Sequence, residues 1–175
     1  MKRLFLSIPL LLYVSLTSAE CRLLQSQQNL SYGHLSAAER QAQGEIIALP
    51  EKQVVLNITC DEPQQIRLFT GTATPEGSQF AFGEHGRMLI TASQAVVDDN
   101  PVRLAAVHAG DASLMTNGAD RITAQVNQGI AFVNGQELKG KTASVTLTIK
   151  PSFKSGSITD KKTWRGNLRV RMVTQ

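Results

Sequence analysis

The chain has 175 residues, 42% of them hydrophobic, and its 18 basic and 14 acidic side chains leave a formal charge of +4. That length suits one domain behind a short leader. So small a charge excess, with no basic run, excludes nucleic acid as an expected partner.

Lys2 and Arg3 precede an apolar run over residues 4–16, too short for a comfortable membrane span, and Thr17, Ser18 and Ala19 supply small residues. Residues 1–19 therefore read as a signal peptide cut after Ala19, leaving residues 20–175 as a single domain. Lipidation at Cys21 is disfavoured, because Glu20 stands where a lipobox takes a small residue. An exported chain meets an oxidising compartment, so its two cysteines, Cys21 and Cys60, read as one disulfide. In the chain-entropy account such a loop is worth roughly 4 kcal/mol, less any strain.

Residues 22–24 can extend a first strand, residues 25–29 are polar and loop-like, and residues 30–35 read as a short strand broken at Gly33. Ser36 and Glu39 make a capping-box pattern, but no apolar periodicity follows, so residues 36–48 are expected to be loop. Pro50 ends what precedes it. Val54, Leu56, Ile58 and Cys60 then fall on one side of an extended strand, with Val55, Asn57 and Thr59 on the other. This strand organises the chain, because it delivers Cys60 to the buried face.

Asp61, Glu62 and Pro63 predict a turn, and residues 65–70 the next strand. Residues 71–77, with Pro75, form a loop, residues 80–83 a short strand or packed loop, and residues 87–91 a strand. Asp98, Asp99, Asn100 and Pro101 give a strong turn signal before a strand at 102–107. Residues 110–120 are turn-rich, and short strands follow at 122–126 and 130–133 before the Asn134–Gly135 turn. Residues 142–149 alternate with Val145, Leu147 and Ile149 inward, and Pro151 is expected to stop them. Residues 154–162 are polar, Trp164 opens the last segment, and Leu168, Val170 and Met172 share a face. About eight short strands with almost no helix predict an immunoglobulin-like β-sandwich.

Chemistry is sparse. His34, His85 and His108 lie at no metal-ligand spacing, so no metal is expected. No nucleophile elbow, phosphate loop or dinucleotide fingerprint occurs, and Asp98 and Asp99 are better explained by their turn than as paired acids. An enzyme and a cofactor are therefore not expected. Arg169 and Arg171 suit the solvated face of an edge strand. Trp164 reads as a core anchor or as an exposed aromatic in a binding site.

Taken together, Cys21, the Tyr32–Gly33 break, the Leu49-Pro50-Glu51-Lys52 stretch running through residues 55–59 into Cys60 and Asp61, and the alternating C-terminal strand resemble a bacterial chaperone–usher pilin. The Leu-Pro-Glu-Lys to Cys-Asp stretch is most similar to the DUF1120 β-fimbria-like family. The resemblance implies an incomplete, pilin-type immunoglobulin-like sandwich with one disulfide, lacking its last strand. A periplasmic pilus chaperone would lend that strand, and at the outer-membrane usher another fimbrial subunit would replace it. It further implies that Leu168, Val170 and Met172 meet the lent strand, that Val54, Leu56 and Ile58 line the core below, and that the chaperone grips the carboxylate of Gln175. The destination is a cell-surface fimbrium, with a host glycan or protein as the receptor of an adhesive subunit.

Two departures shape the expectation. The residues from Met172 to Gln175 include no aromatic. Only Glu20 would precede Cys21 after cleavage, too little to serve as a donor strand, so the subunit is expected to accept a strand without giving one and to sit at a tip or other minor position. The competing expectation is a free-standing secreted or periplasmic immunoglobulin-like module binding glycan or protein through residues 71–77 or 154–162.

Overall fold

The computed structural model describes residues 20–27, 29–33, 45–74, 77, 79–83, 86–110, 113–154 and 165–175. The signal peptide, the Ser36–Glu39 pattern, His34, His85, Pro75, Trp164 and residues 155–162 of the polar loop lie outside them. The described residues are all-β. The strands are β1 (Cys21–Gln25), β2 (Asn29–Ser31), β3 (Ile46–Ala48), β4 (Lys52–Thr70), β5 (Phe80–Phe82), β6 (Gly86–Val97), β7 (Asn100–Pro101), β8 (Arg103–His108), β9 (Arg121–Thr123), β10 (Gln128–Asn134), β11 (Gln136–Glu137), β12 (Lys139–Lys154), β13 (Arg165–Asn167) and β14 (Val170–Thr174).

The long strand β4 belongs to both layers of the sandwich. Its first half lies between β1 and β12, and β12 pairs in turn with β6. Its second half lies between β14 and β10, and β10 pairs with β8. The sheet thus curls at β4 and closes its two inner faces on one core. Val54, Leu56 and Ile58 meet Val145, Leu147, Ile149 and Ile90 from one layer, and Ile66, Leu68, Leu104, Ile130 and Phe132 from the other.

The turn expected at Asp61, Glu62 and Pro63 is instead the corner within β4. The ladder with β12 jumps from Thr142 opposite Thr59 to Gly140 opposite Gln64, which leaves residues 60–63 unpaired on that side. Pro63 therefore removes no ladder hydrogen bond, and the strand passes from one layer to the other through exposed residues.

Pro151 does not stop β12, which runs on to Lys154. Opposite it, β4 has just begun at Lys52 and β3 takes over as partner from Ala48. Leu49 N–H donates to Pro151 O at 3.0 Å, and the donor that proline lacks is only the return half of that pair. The short strand β3 also corrects the loop expected up to residue 48.

β6 continues past Thr91 to Val97 because a bulge changes its phase. Ser93 faces Thr146 and Val96 faces Ser144, so two residues oppose one, and Gln94 sits at φ 54°. Met88, Ile90 and Ala92 point inward before the bulge, Ala95 and Val97 after it. Asp98 (φ 46°) and Asp99 (φ 64°) then form the expected turn into β7. The Asp98 carboxylate accepts from Thr142 N–H at 2.8 Å and Lys141 N–H at 3.0 Å, a structural role.

The turn-rich stretch after β8 returns along that strand's edge opposite β10, and the outer side of the second layer carries further apolar residues. Ala105, Val107, Ala131 and Val133 form a second buried cluster there. Bridges from Leu114 to Val107 and from Ala119 to Leu104 hold the stretch beside β8.

Candidate functional site

The Cys21–Cys60 disulfide is present. The two residues are direct register partners in the β1–β4 ladder, so the alternation that buries Val54, Leu56 and Ile58 also sets the cysteines face to face. Asp61 N–H donates to Glu20 O and Ser26 N–H to Val55 O. Hydrogen-bonded pairs alternate along an antiparallel ladder, so Arg22 and Leu24 also bond to β4. The backbone groups of Cys21, Leu23 and Gln25 are directed to the other edge, where no strand pairs among the described residues.

β14 repeats this arrangement in the other layer. Gln65 N–H donates to Gln175 O at 2.8 Å, Gln175 N–H to Gln65 O at 3.1 Å, and Gly71 N–H to Arg169 O at 2.7 Å. The same alternation assigns Arg171 and Val173 to β4 and leaves Val170, Met172 and Thr174 facing the open edge. The side chains of Val170 and Met172 turn to the core but remain only half-buried, as does Leu23 on β1. Leu168, by contrast, is 2% exposed.

The two open edges belong to one fork. Just beyond β1 the chain enters β2, which pairs with β13 just before β14: Asn29 faces Asn167 and Ser31 faces Arg165. From that closed end β1 runs in one layer and β14 in the other, and their far ends pair with β4 on either side of its corner, at Cys60 and at Gln65. Their throat is a cleft of about 590 Å³ with Gln25 on one side and Phe69, Gly71, Leu168 and Val170 on the other. Arg169 and Arg171, both exposed, line the same cleft, and Arg171 lies over the Phe69 ring at 4.7 Å.

An ion pair secures the outer end of β14. Arg67 Nε and Nη2 each donate to Glu137 at 2.7 Å, and Nη1 donates to the Gln175 side chain at 3.1 Å. The Arg67 and Glu137 side chains are 8% and 9% exposed. The hydrogen bonds to Glu137 hold the Arg67 guanidinium above its ordinary pKa, against the opposing effect of burial.

The residues singled out from sequence thus separate by place. Leu168, Val170 and Met172 lie along one arm of the fork, and Gln175 is tied to β4. Val54, Leu56 and Ile58, at most 1% exposed, form core with no open surface. Gln25, assigned to a loop, in fact ends β1 on its inward phase. The period-two sequence Cys21, Leu23, Gln25 was the available signal. The Arg67–Glu137 pair, 70 residues apart, left no local pattern. Among the described residues no group of three His, Cys, Asp or Glu side chains could hold a metal, and His108 is exposed at the end of β8.

No family model matches the chain, and no solved structure matches it. It is 35% identical over 176 residues to YhcE, an uncharacterized protein of Escherichia coli (strain K12), across 97% of each sequence. At that identity and coverage, the chain belongs to the YhcE family.

Proposed function

Taking this YhcE family member as the starting point, we propose that it is a fimbrial subunit assembled by the chaperone–usher pathway through donor-strand complementation, without enzymatic activity. The observation that carries the reading is the fork. Among the described residues, two strands in opposite layers pair on one side only and carry half-buried Leu23, Val170 and Met172, and Gln25 and Val170 line one cleft between them. An unpaired edge above incompletely covered apolar side chains is the physical requirement for accepting a further strand.

The proposed partners are a periplasmic pilus chaperone, an outer-membrane usher and neighbouring fimbrial subunits. The chain is exported through the periplasm and ends in a surface fimbrium, at a tip or other minor position with a role in adhesion. The tip assignment depends on cleavage after Ala19, which mass spectrometry of the exported protein tests directly.

Expression with and without the chaperone tests the main reading. A pilin subunit is recovered as a one-to-one complex with the chaperone, is depleted without it, and melts at a markedly higher temperature with an alternating strand peptide. Recovery of a stable monomer indifferent to both additions refutes the proposal and favours the free-standing binding module.

A further inference from the structure

Among the described residues, four buried side-chain atoms lack a hydrogen-bond partner, among them Gln25 Oε1 on β1, at the fork, and Thr70 Oγ1 on β4, one strand behind it. They belong to opposite layers. Thr70, 7% exposed, is the register partner of Val170 and sits between the cleft residues Phe69 and Gly71. Gln25 lines the cleft itself, on the inward phase that Cys21 and Leu23 begin. An inward position at the rim of a core ordinarily takes an apolar residue. A buried acceptor without a donor is unfavourable and calls for an explanation.

Resting on the accepted-strand reading above, we infer that Gln25 is a register pin for that strand: the inward residue seated opposite Val170 carries a side-chain hydrogen-bond donor to Gln25 Oε1. The class of residue is asparagine, glutamine, serine or threonine. Inward residues farther from the β2–β13 junction, opposite Met172, are apolar, because Leu23 and Met172 offer only hydrocarbon and sulfur there. Slippage by two residues keeps the same face inward, so apolar packing discriminates weakly between such registers. One buried polar contact at the throat removes the ambiguity, because every slipped alignment leaves Gln25 facing an apolar side chain.

Gln25 is thereby a specificity residue, and the inserted segment reads, from the closed end outward, as polar donor, then apolar at each alternate position. Thr70 lies one strand farther from the fork, behind Val170, and takes no part in this contact.

The test uses the full chain and synthetic peptides of alternating valine and threonine, identical except that asparagine or leucine is scanned through the inward positions. Dissociation rates are measured for the wild type, Gln25→Leu and Gln25→Glu, with the disulfide confirmed intact in each. In the wild type, asparagine at one inward position slows dissociation about tenfold relative to leucine there, and at the others it accelerates it. Gln25→Leu reverses the preference at that one position. Gln25→Glu restores it and extends it to a lysine-bearing peptide. Peptides that bind with no position favouring asparagine, or with a preference unchanged in Gln25→Leu, overturn the pin while leaving the accepted strand intact. Failure of every peptide to bind overturns both.

Discussion

β12 and β14 carry similar alternations of apolar and polar residues, yet only β12 is covered. In β12, Val145, Leu147 and Ile149 are fully buried, with β4 on one side and β6 on the other. In β14, Val170 and Met172 point to the same core, but among the described residues the strand pairs with β4 alone. Alternation reports which face of a strand is apolar. Coverage depends on how many strands flank it, and that is a property of topology. A strand patterned for burial and flanked on one side is the feature from which the accepted-strand proposal grows.

The difference can be broken most severely at β1, the other one-sided strand, which has a covalent tie that β14 lacks. Replacing Cys21 and Cys60 together by alanine should lower unfolding stability by roughly 4 kcal/mol, read by urea denaturation under oxidising conditions. A loss much below half of that would mean that the β1 ladder holds itself.

The covered and open strands should respond differently to truncation. Leu147→Ala should destabilise by about 3 kcal/mol, whereas Met172→Ala should lose about 1 kcal/mol or less in the lone chain. The Met172 penalty should grow when a chaperone or strand peptide is bound, and equal penalties in both states would contradict an open edge. Glu137→Gln leaves the buried Arg67 guanidinium without its carboxylate and should lower stability by about 2 kcal/mol. Pairing Arg67→Met with Glu137→Leu should recover most of that loss, a result that a double-mutant cycle in urea would check.

Smaller effects sharpen the picture at the rim. Thr70→Val removes a buried hydroxyl that has no partner and should raise stability by about 1 kcal/mol, seen as a higher urea midpoint. Tyr32 packs edge-on against Phe82 with ring centroids 5.3 Å apart, and burial pushes its phenol up to about 12 from 10. Between those values the unfolded chain loses the proton while the folded chain keeps it, so stability falls as pH rises through this window. Tyr32→Phe should remove that part of the alkaline loss, and identical pH profiles for the two proteins would contradict the assignment.

The first half of β4 and the middle of β12 were legible in sequence because strict period-two alternation coincides with burial on one face. Proline misled at Pro63 and Pro151. Each lacks a donor, but each stands where the neighbouring strand is interrupted, and no sequence pattern announces a partner's interruption. β6 looked shorter than it is because the bulge at Gln94 shifts its phase. Residues 105–107 and 131–133 are apolar on both faces because Ala105, Val107, Ala131 and Val133 form a second buried cluster on the outer one, which period-two alternation cannot express. At the candidate site, the arm carrying Leu168, Val170 and Met172 was legible, while Gln25 looked like loop because a lone inward amide resembles the polar residues after it.

In the proposed fibre, a strand seated on β14 would transmit a pull in shear to β4, whose other half is bonded covalently to β1 through Cys21 and Cys60. The 39-residue separation between Cys21 and Cys60 is therefore held out of any stretched chain. At about 3.4 Å per residue, that shortens the attainable extension by roughly 130 Å relative to the reduced protein, a difference that single-molecule pulling would register as a shorter contour length.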